Sequence, residues 1–158
     1  MTILQTERMN CMKKAMKLFA VLFTALFVLL GCAKEESASF ELKEGQHTST
    51  LTYYYKGDVV TKQIAETKYV ISDLPVSEDE AMEQIKEENE EYTAIKGITA
   101  TVESKDGVIT QTVTIDYSVA KLEDLKKAFP DAFSGDGNVV SFEATKELIE
   151  QAGYTEKK

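Results

Sequence analysis

The chain has no tryptophan, one histidine, two cysteines and two prolines among its 158 residues, and each shortage removes a class of chemistry. The lone histidine, His47, stands in the polar run Glu44-Gly45-Gln46-His47-Thr48, where nothing orients it. A triad or a histidine-bearing metal site needs that orientation, so His47 is expected to be a solvated loop residue. Cys11 and Cys32 both precede the stretch that reads as globular. That stretch therefore has no disulfide framework, cysteine-rich zinc site or thiol nucleophile. No GxxxxGK[ST] or GxGxxG spacing occurs, so no motif supports nucleotide binding. Lys and Arg number 18 against 27 Asp and Glu, a net charge of −9, and such a surface repels phosphate backbones. Nucleic acid is not an expected partner.

Long apolar runs are also scarce, with one exception near the start. Leu18 to Leu30 is apolar except for Thr24, with Lys13, Lys14 and Lys17 before it and Leu29-Leu30-Gly31-Cys32 at its end. A basic region followed by a short apolar run is the layout of a secretory signal. A comfortable membrane span needs about 20 apolar residues, which this run does not reach. The ending resembles a bacterial lipobox, which implies cleavage before Cys32 and attachment of diacylglycerol to its sulfur and a fatty acyl chain, of the palmitate kind, to its new amine. No other cofactor is expected. Residues 1–11 add nothing a signal needs, so translation starts at Met12 or the basic region is long.

Removing residues 1–31 takes away Arg8, Lys13, Lys14, Lys17 and Glu7, leaving 14 basic and 26 acidic residues and a net charge of −12. The membrane is then held by lipid rather than by basic side chains, and two chains anchor where one is marginal. The expected location is the cell membrane, with the domain on the extracytoplasmic side.

Residues 32–46 are small and charged and read as a flexible tether. Residues 47–154 carry the folding signals. Leu51, Tyr53 and Tyr55 alternate with Thr52 and Tyr54, Lys56-Gly57-Asp58 is turn chemistry, and a β-branched run follows from Val59 to Val70: a hairpin. Ser77 and Glu80 match a capping box that opens a helix striped by Met82, Ile85 and Tyr92, with Asn89 interrupting the stripe. Ile98, Ala100 and Val102 then alternate up to Lys105-Asp106-Gly107, and Ile109, Val113, Ile115 and Tyr117 return as a second hairpin. Leu122, Leu125 and Phe129 space a short helix stopped by Pro130, Val139-Val140 is a brief strand, and Ser141 caps a final helix that closes at Gly153-Tyr154. Residues 155–158 read as a frayed tail. The ββαββα order predicts an α+β domain whose antiparallel sheet joins two hairpins, with helices on one face.

Two surfaces invite a partner. The first helix presents Glu83, Glu87 and Glu91 one turn apart, like charges that repel and that a cation would relieve. The ordinary alternative is a solvated acidic face. If Ile109, Val113 and Ile115 face the helices, then Thr110, Thr112 and Thr114 face away beside Thr99, Thr101 and Tyr54. Such a face suits a glycan or an envelope protein; threonine is equally a good strand former for a wet surface. Carboxylates are too numerous to single out a pair, so the rival reading, an envelope hydrolase using two of them, has no nominated residues. No metal cluster is expected.

Tyr54-Tyr55-Lys56-Gly57-Asp58, Ile95-Lys96-Gly97, Ile115-Asp116-Tyr117 and Leu148-Ile149-Glu150-Gln151-Ala152-Gly153-Tyr154 follow one another behind the lipobox. In that order they resemble the YehR-like family of small bacterial lipoproteins, over about Phe40 to Tyr154. The family is a domain of unknown function. The resemblance implies a lipid-anchored α+β domain and carries over no catalytic residue, which favours a non-enzymatic binding or structural accessory in the envelope.

Overall fold

The computed structural model describes residues 21–24, 34–45, 47–130, 133–134 and 137–158; the signal reading and Cys32 otherwise lie outside the described residues. The main sheet has six antiparallel strands. In chain order these are β2 (Glu35–Glu44), β3 (His47–Lys56), β4 (Val59–Val70), β5 (Ile98–Lys105), β6 (Val108–Asp116) and β9 (Thr155–Glu156), arranged across the sheet as β5-β6-β4-β3-β2-β9. The two expected hairpins are β3–β4 and β5–β6, and they join through β4 and β6. A small second sheet places β1 (Val21–Thr24), inside the leader run, between β7 (Phe133–Ser134) and β8 (Val139–Val140). Among the described residues no helix is long and apolar enough to cross a membrane.

Two ends of the domain depart from expectation. The segment expected to be a tether holds β2, ten residues paired with β3 along its whole length. Ala38, Phe40 and Leu42 alternate with serines and charges, and Phe40 is fully buried opposite Leu51, its ring edge-on to Tyr53. That apolar alternation outweighs the charged composition, because burying one Phe contributes roughly 1.5–3 kcal/mol. The tail expected to fray instead pairs Thr155 and Glu156 with Glu41 and Phe40. Lys157 reinforces the join through its backbone N–H to the Ser39 carbonyl and its ammonium to Glu41.

Three α-helices, α1 (Glu78–Thr93), α2 (Leu122–Ala128) and α3 (Phe142–Gln151), pack on one face of the sheet. Ser77 and Glu80 form the capping box of α1: the Ser77 side chain accepts from the Glu80 N–H, and the Glu80 carboxylate accepts from the Ser77 N–H. Ala81 and Ile85 pack on Tyr69 and Ile109, while Ile149 and Phe142 join Phe40, Tyr53 and Leu125 in the larger core. Asn89, which interrupts the apolar stripe, is buried, and its Oδ1 accepts from Gln111 Nε2 at 2.9 Å, tying α1 to β6. Ser141 caps α3 by accepting from the Ala144 N–H. At the far end the Tyr154 N–H reaches the Ile149 carbonyl, the six-to-one bond of a Schellman close, and Tyr154 is buried.

Two glycines hold the second hairpin. Asp106 and Gly107 sit at φ 52° and 79°, the two left-handed positions that a two-residue turn with the right twist requires. Gly97, at φ 94°, lies so near Ala120 that a Cβ there would stand 2.4 Å from the Ala120 nitrogen. The chain can pass Ala120 only without a side chain.

Candidate functional site: the outer face of the sheet

The face opposite the helices is built by strand alternation. On β6, Ile109, Gln111, Val113 and Ile115 point into the core, and Thr110, Thr112 and Thr114 point away. Pairing with β5 sets Thr114 beside Thr99, Thr112 beside Thr101 and Thr110 beside Glu103. Pairing with β4 sets the same threonines beside Ile64, Glu66 and Lys68. β3 and β2 continue each row, which gives Thr99, Thr114, Ile64, Thr52 and Ser39 in one, Thr101, Thr112, Glu66, Thr50 and Glu41 in the next, and Glu103, Thr110, Lys68, Thr48 and Lys43 in the third. Neighbours in a row stand about 4.8 Å apart, so the hydroxyls form a regular grid.

The structure thus brings Thr99, Thr101, Thr110, Thr112 and Thr114 onto one surface, with Thr99 and Thr101 exposed and the others half-buried. Tyr54 lies on the same face, at one end of it, beside its register partner Lys62, whose ammonium sits 4.0 Å from the centre of the Tyr54 ring. Sequence reasoning missed the other half of the grid: Thr48, Thr50, Thr52 and Ser39. Their signal was the threonine at every second position of Thr48-Ser49-Thr50-Leu51-Thr52, which gains meaning only once β3 is known to lie two strands from β6. Ser39 and Thr52 share a hydrogen bond of 2.9 Å between their hydroxyls.

Charge on this face is locally balanced although the chain is acidic. Lys43 and Lys157 lie 3.1 and 3.2 Å from Glu41, and Lys68 lies 3.0 Å from Glu66. Hydrogen bonds from Lys43 and then Lys157 hold the Glu41 carboxyl below its ordinary value. Asp116, in register with Lys62, is likewise held low, first by the Ser118 hydroxyl and then by the Ser118 N–H.

The other candidates are placed elsewhere. Glu83, Glu87 and Glu91 are exposed on α1, and among the described residues no ion pair involves them. His47, expected in a solvated loop, instead begins β3 opposite Glu44 and packs its ring edge-on against Tyr69, with a buried Nδ1 that has no partner among the described residues. The turn at Gly45 folds the supposed tether back into the sheet and carries His47 with it. Burial, with a smaller contribution from Glu88, pushes the Tyr69 phenol up to about 12. Among the described residues no group of His, Cys, Asp and Glu is arranged to hold a metal ion.

An open depression of about 470 Å³ is lined by Asp58, Ser141, Glu143, Lys146, Glu147 and Glu150. Both Asp58 oxygens are committed there: one accepts from the Ser141 hydroxyl and the other from the Glu143 N–H, each at 2.8 Å. Asp58 therefore fastens the first hairpin turn to the start of α3. Lys146 is paired with Glu156 at 2.7 Å.

A family model described as "Protein of unknown function (DUF1307)" matches residues 36–155. The chain belongs to the DUF1307 family. Its boundaries take in all but the first residue of β2, the strand that composition hides, and reach the start of β9. The chain is 33% identical to the uncharacterized lipoprotein Lin0239 of Listeria innocua over 150 residues, covering 94% of this chain and 98% of that protein. It is 32% identical to the uncharacterized lipoprotein YehR of Escherichia coli over 109 residues, 66% of this chain and 71% of that protein. The NMR structure of E. coli YehR superposes with a TM-score of 0.68 at 24% identity, over 81% of this chain and 94% of that one. That likeness shows the fold, an α+β domain with three helices and an antiparallel sheet. An NMR structure of a protein from Streptococcus pneumoniae aligns with a TM-score of 0.54 at 14% identity, over 85% of this chain and 93% of that one.

Proposed function

We propose that this DUF1307 protein is a lipoprotein of the bacterial envelope, anchored on the extracytoplasmic side of the membrane through acyl chains on Cys32, that docks neutral glycan on the outer face of its sheet without cleaving it. The lipid anchor is supported by the lipobox pattern and by relatives that are themselves named lipoproteins. The alignment with Lin0239 spans so much of the chain that it includes most of the leader. The observation that carries the docking role is the grid of hydroxyls set in register on a face that, among the described residues, no helix covers. Each hydroxyl donates one hydrogen bond and accepts others, the chemistry a sugar hydroxyl needs in return. Tyr54 adds an aromatic ring at the edge, and the paired charges leave the grid near neutral in an acidic molecule. The hydrolase alternative finds less support at Glu41, Glu80 and Asp116, whose carboxyls are all held below their ordinary values, whereas a general acid must be held up.

The test is co-sedimentation of the lipidated protein with purified insoluble cell-wall polysaccharide. Wild type is expected to pellet with the wall, and Thr112→Val with Thr114→Val to weaken binding about tenfold with little change in melting temperature, since two neutral hydrogen bonds are worth roughly that. Wild type left in the supernatant, or a double variant binding as tightly, overturns the docking role. The anchor is tested separately by metabolic labelling with a tagged fatty acid; a labelled Cys32→Ala protein overturns it.

A further inference from the structure

The inner face of the sheet holds three polar side chains whose hydrogen bonding is incomplete. Tyr53 on β3 and Gln63 on β4 are register partners, both fully buried, and both point toward the helices. The Tyr117 hydroxyl, carried over β4 by the bond from the Tyr117 N–H to the Thr61 carbonyl, donates to Gln63 Oε1 at 2.8 Å. Among the described residues the Tyr53 hydroxyl and Gln63 Nε2 have no partner.

The Gln63 amide spends its oxygen on Tyr117, and its nitrogen makes no bond to the Tyr53 hydroxyl. The left-over Nε2 hydrogens need an acceptor, and the left-over phenol can both donate and accept. A group that both donates and accepts serves the two atoms together, and native interiors meet such a need with ordered water holding about three hydrogen bonds.

We infer that a single internal water molecule is bound between Tyr53 Oη and the Gln63 side-chain amide, accepting from one or both and donating to a phenol oxygen. Burial, reinforced by a neighbouring tyrosine in each case, holds the Tyr53 and Tyr117 phenols far above their ordinary values, so both keep their hydrogens at any working pH. The site is structural: it lets β3 and β4 carry polar side chains under α3, where an apolar pair would leave Tyr117 stranded.

A high-resolution crystal structure of the protein is expected to show one density peak within hydrogen-bond distance of both Tyr53 Oη and the Gln63 amide. Direct contact between Nε2 and Oη with no peak overturns the inference. Tyr53→Phe gives an independent reading in solution. If the hydroxyl holds water, its loss lowers the melting temperature by a few degrees, because the water loses a partner while Gln63 remains. An unchanged or raised melting temperature overturns the inference, since removing an unpartnered hydroxyl from a core is neutral or stabilising.

Discussion

The two faces of the one sheet obey different rules. On the inner face each polar side chain needs its own arranged partner: Gln111 takes Asn89, and Gln63 takes Tyr117. On the outer face the nine Ser and Thr residues of the grid and a handful of charges sit side by side, and within the grid only Ser39 and Thr52 bond hydroxyl to hydroxyl. Water accounts for the contrast, because a hydroxyl at a wet surface always finds a partner while a buried one forfeits the full desolvation cost. Stability therefore rests on the inner face, and the outer face is free to be shaped by what it meets. Each prediction below tests that division.

The largest effect is expected where the helix-bearing side closes on itself. Gly97→Ala adds a Cβ 2.4 Å from the Ala120 nitrogen and 2.8 Å from its Cα, at a backbone φ of 94°. Neither backbone atom can turn aside, so overpacking and left-handed strain add to about 3–5 kcal/mol. Asp116, whose N–H bonds to the Gly97 carbonyl, would be pulled along with it. Urea unfolding followed by circular dichroism is expected to show a midpoint far below that of wild type, by an amount that corresponds to this loss. Thr112→Val on the outer face is expected to stay within about 0.5 kcal/mol of wild type in the same assay. Equal losses in the two variants would abolish the distinction between the faces.

What was legible in the sequence was local. Ser77 with Glu80, Asp106 with Gly107, Ser141, and Gly153 with Tyr154 each place a helix end or turn by contacts within a few residues, and the structure has all four. β2 was hidden because its apolar partners lie far away: Phe40 meets Tyr53 and Phe142, and composition alone made its neighbours look like a tether. Asn89 read as a flaw in a stripe, since its partner Gln111 lies 22 residues on. Half of the outer grid could be read from the alternation of β5 and β6. The half on β3 and β2 waited on strand order, which no local signal carries.

An intermediate effect tests whether inner polar groups need dedicated partners. Asn89→Ala leaves Gln111 Nε2 buried without its acceptor, a loss of roughly 1–3 kcal/mol. Adding Gln111→Leu is expected to recover much of it, because removing both members replaces an unmet donor with apolar contact. A double-mutant cycle by chemical denaturation measures the coupling. Additive losses would mean that the pair is merely adjacent and that the inner face tolerates a lone polar group as readily as the outer one does.

The smallest effect belongs to the outer face and depends on pH. The Asp116 carboxyl is held below its usual 3.8, chiefly by the Ser118 hydroxyl and then the Ser118 N–H, with Lys62 contributing least. A carboxyl lowered on folding adds stability that is fully present above the unfolded value and fades as pH falls through the folded one. Ser118→Ala removes the first of these bonds, and Ser118 is exposed, so solvent screening limits the loss to a few tenths of a kcal/mol. The difference between wild type and Ser118→Ala is therefore expected to be constant near neutral pH and to shrink below about pH 4, in urea midpoints measured across that range. A gap exceeding about 1 kcal/mol, or one that widens in acid, would mean that a charge on the wet face carries stability of the kind assigned here to the dry one.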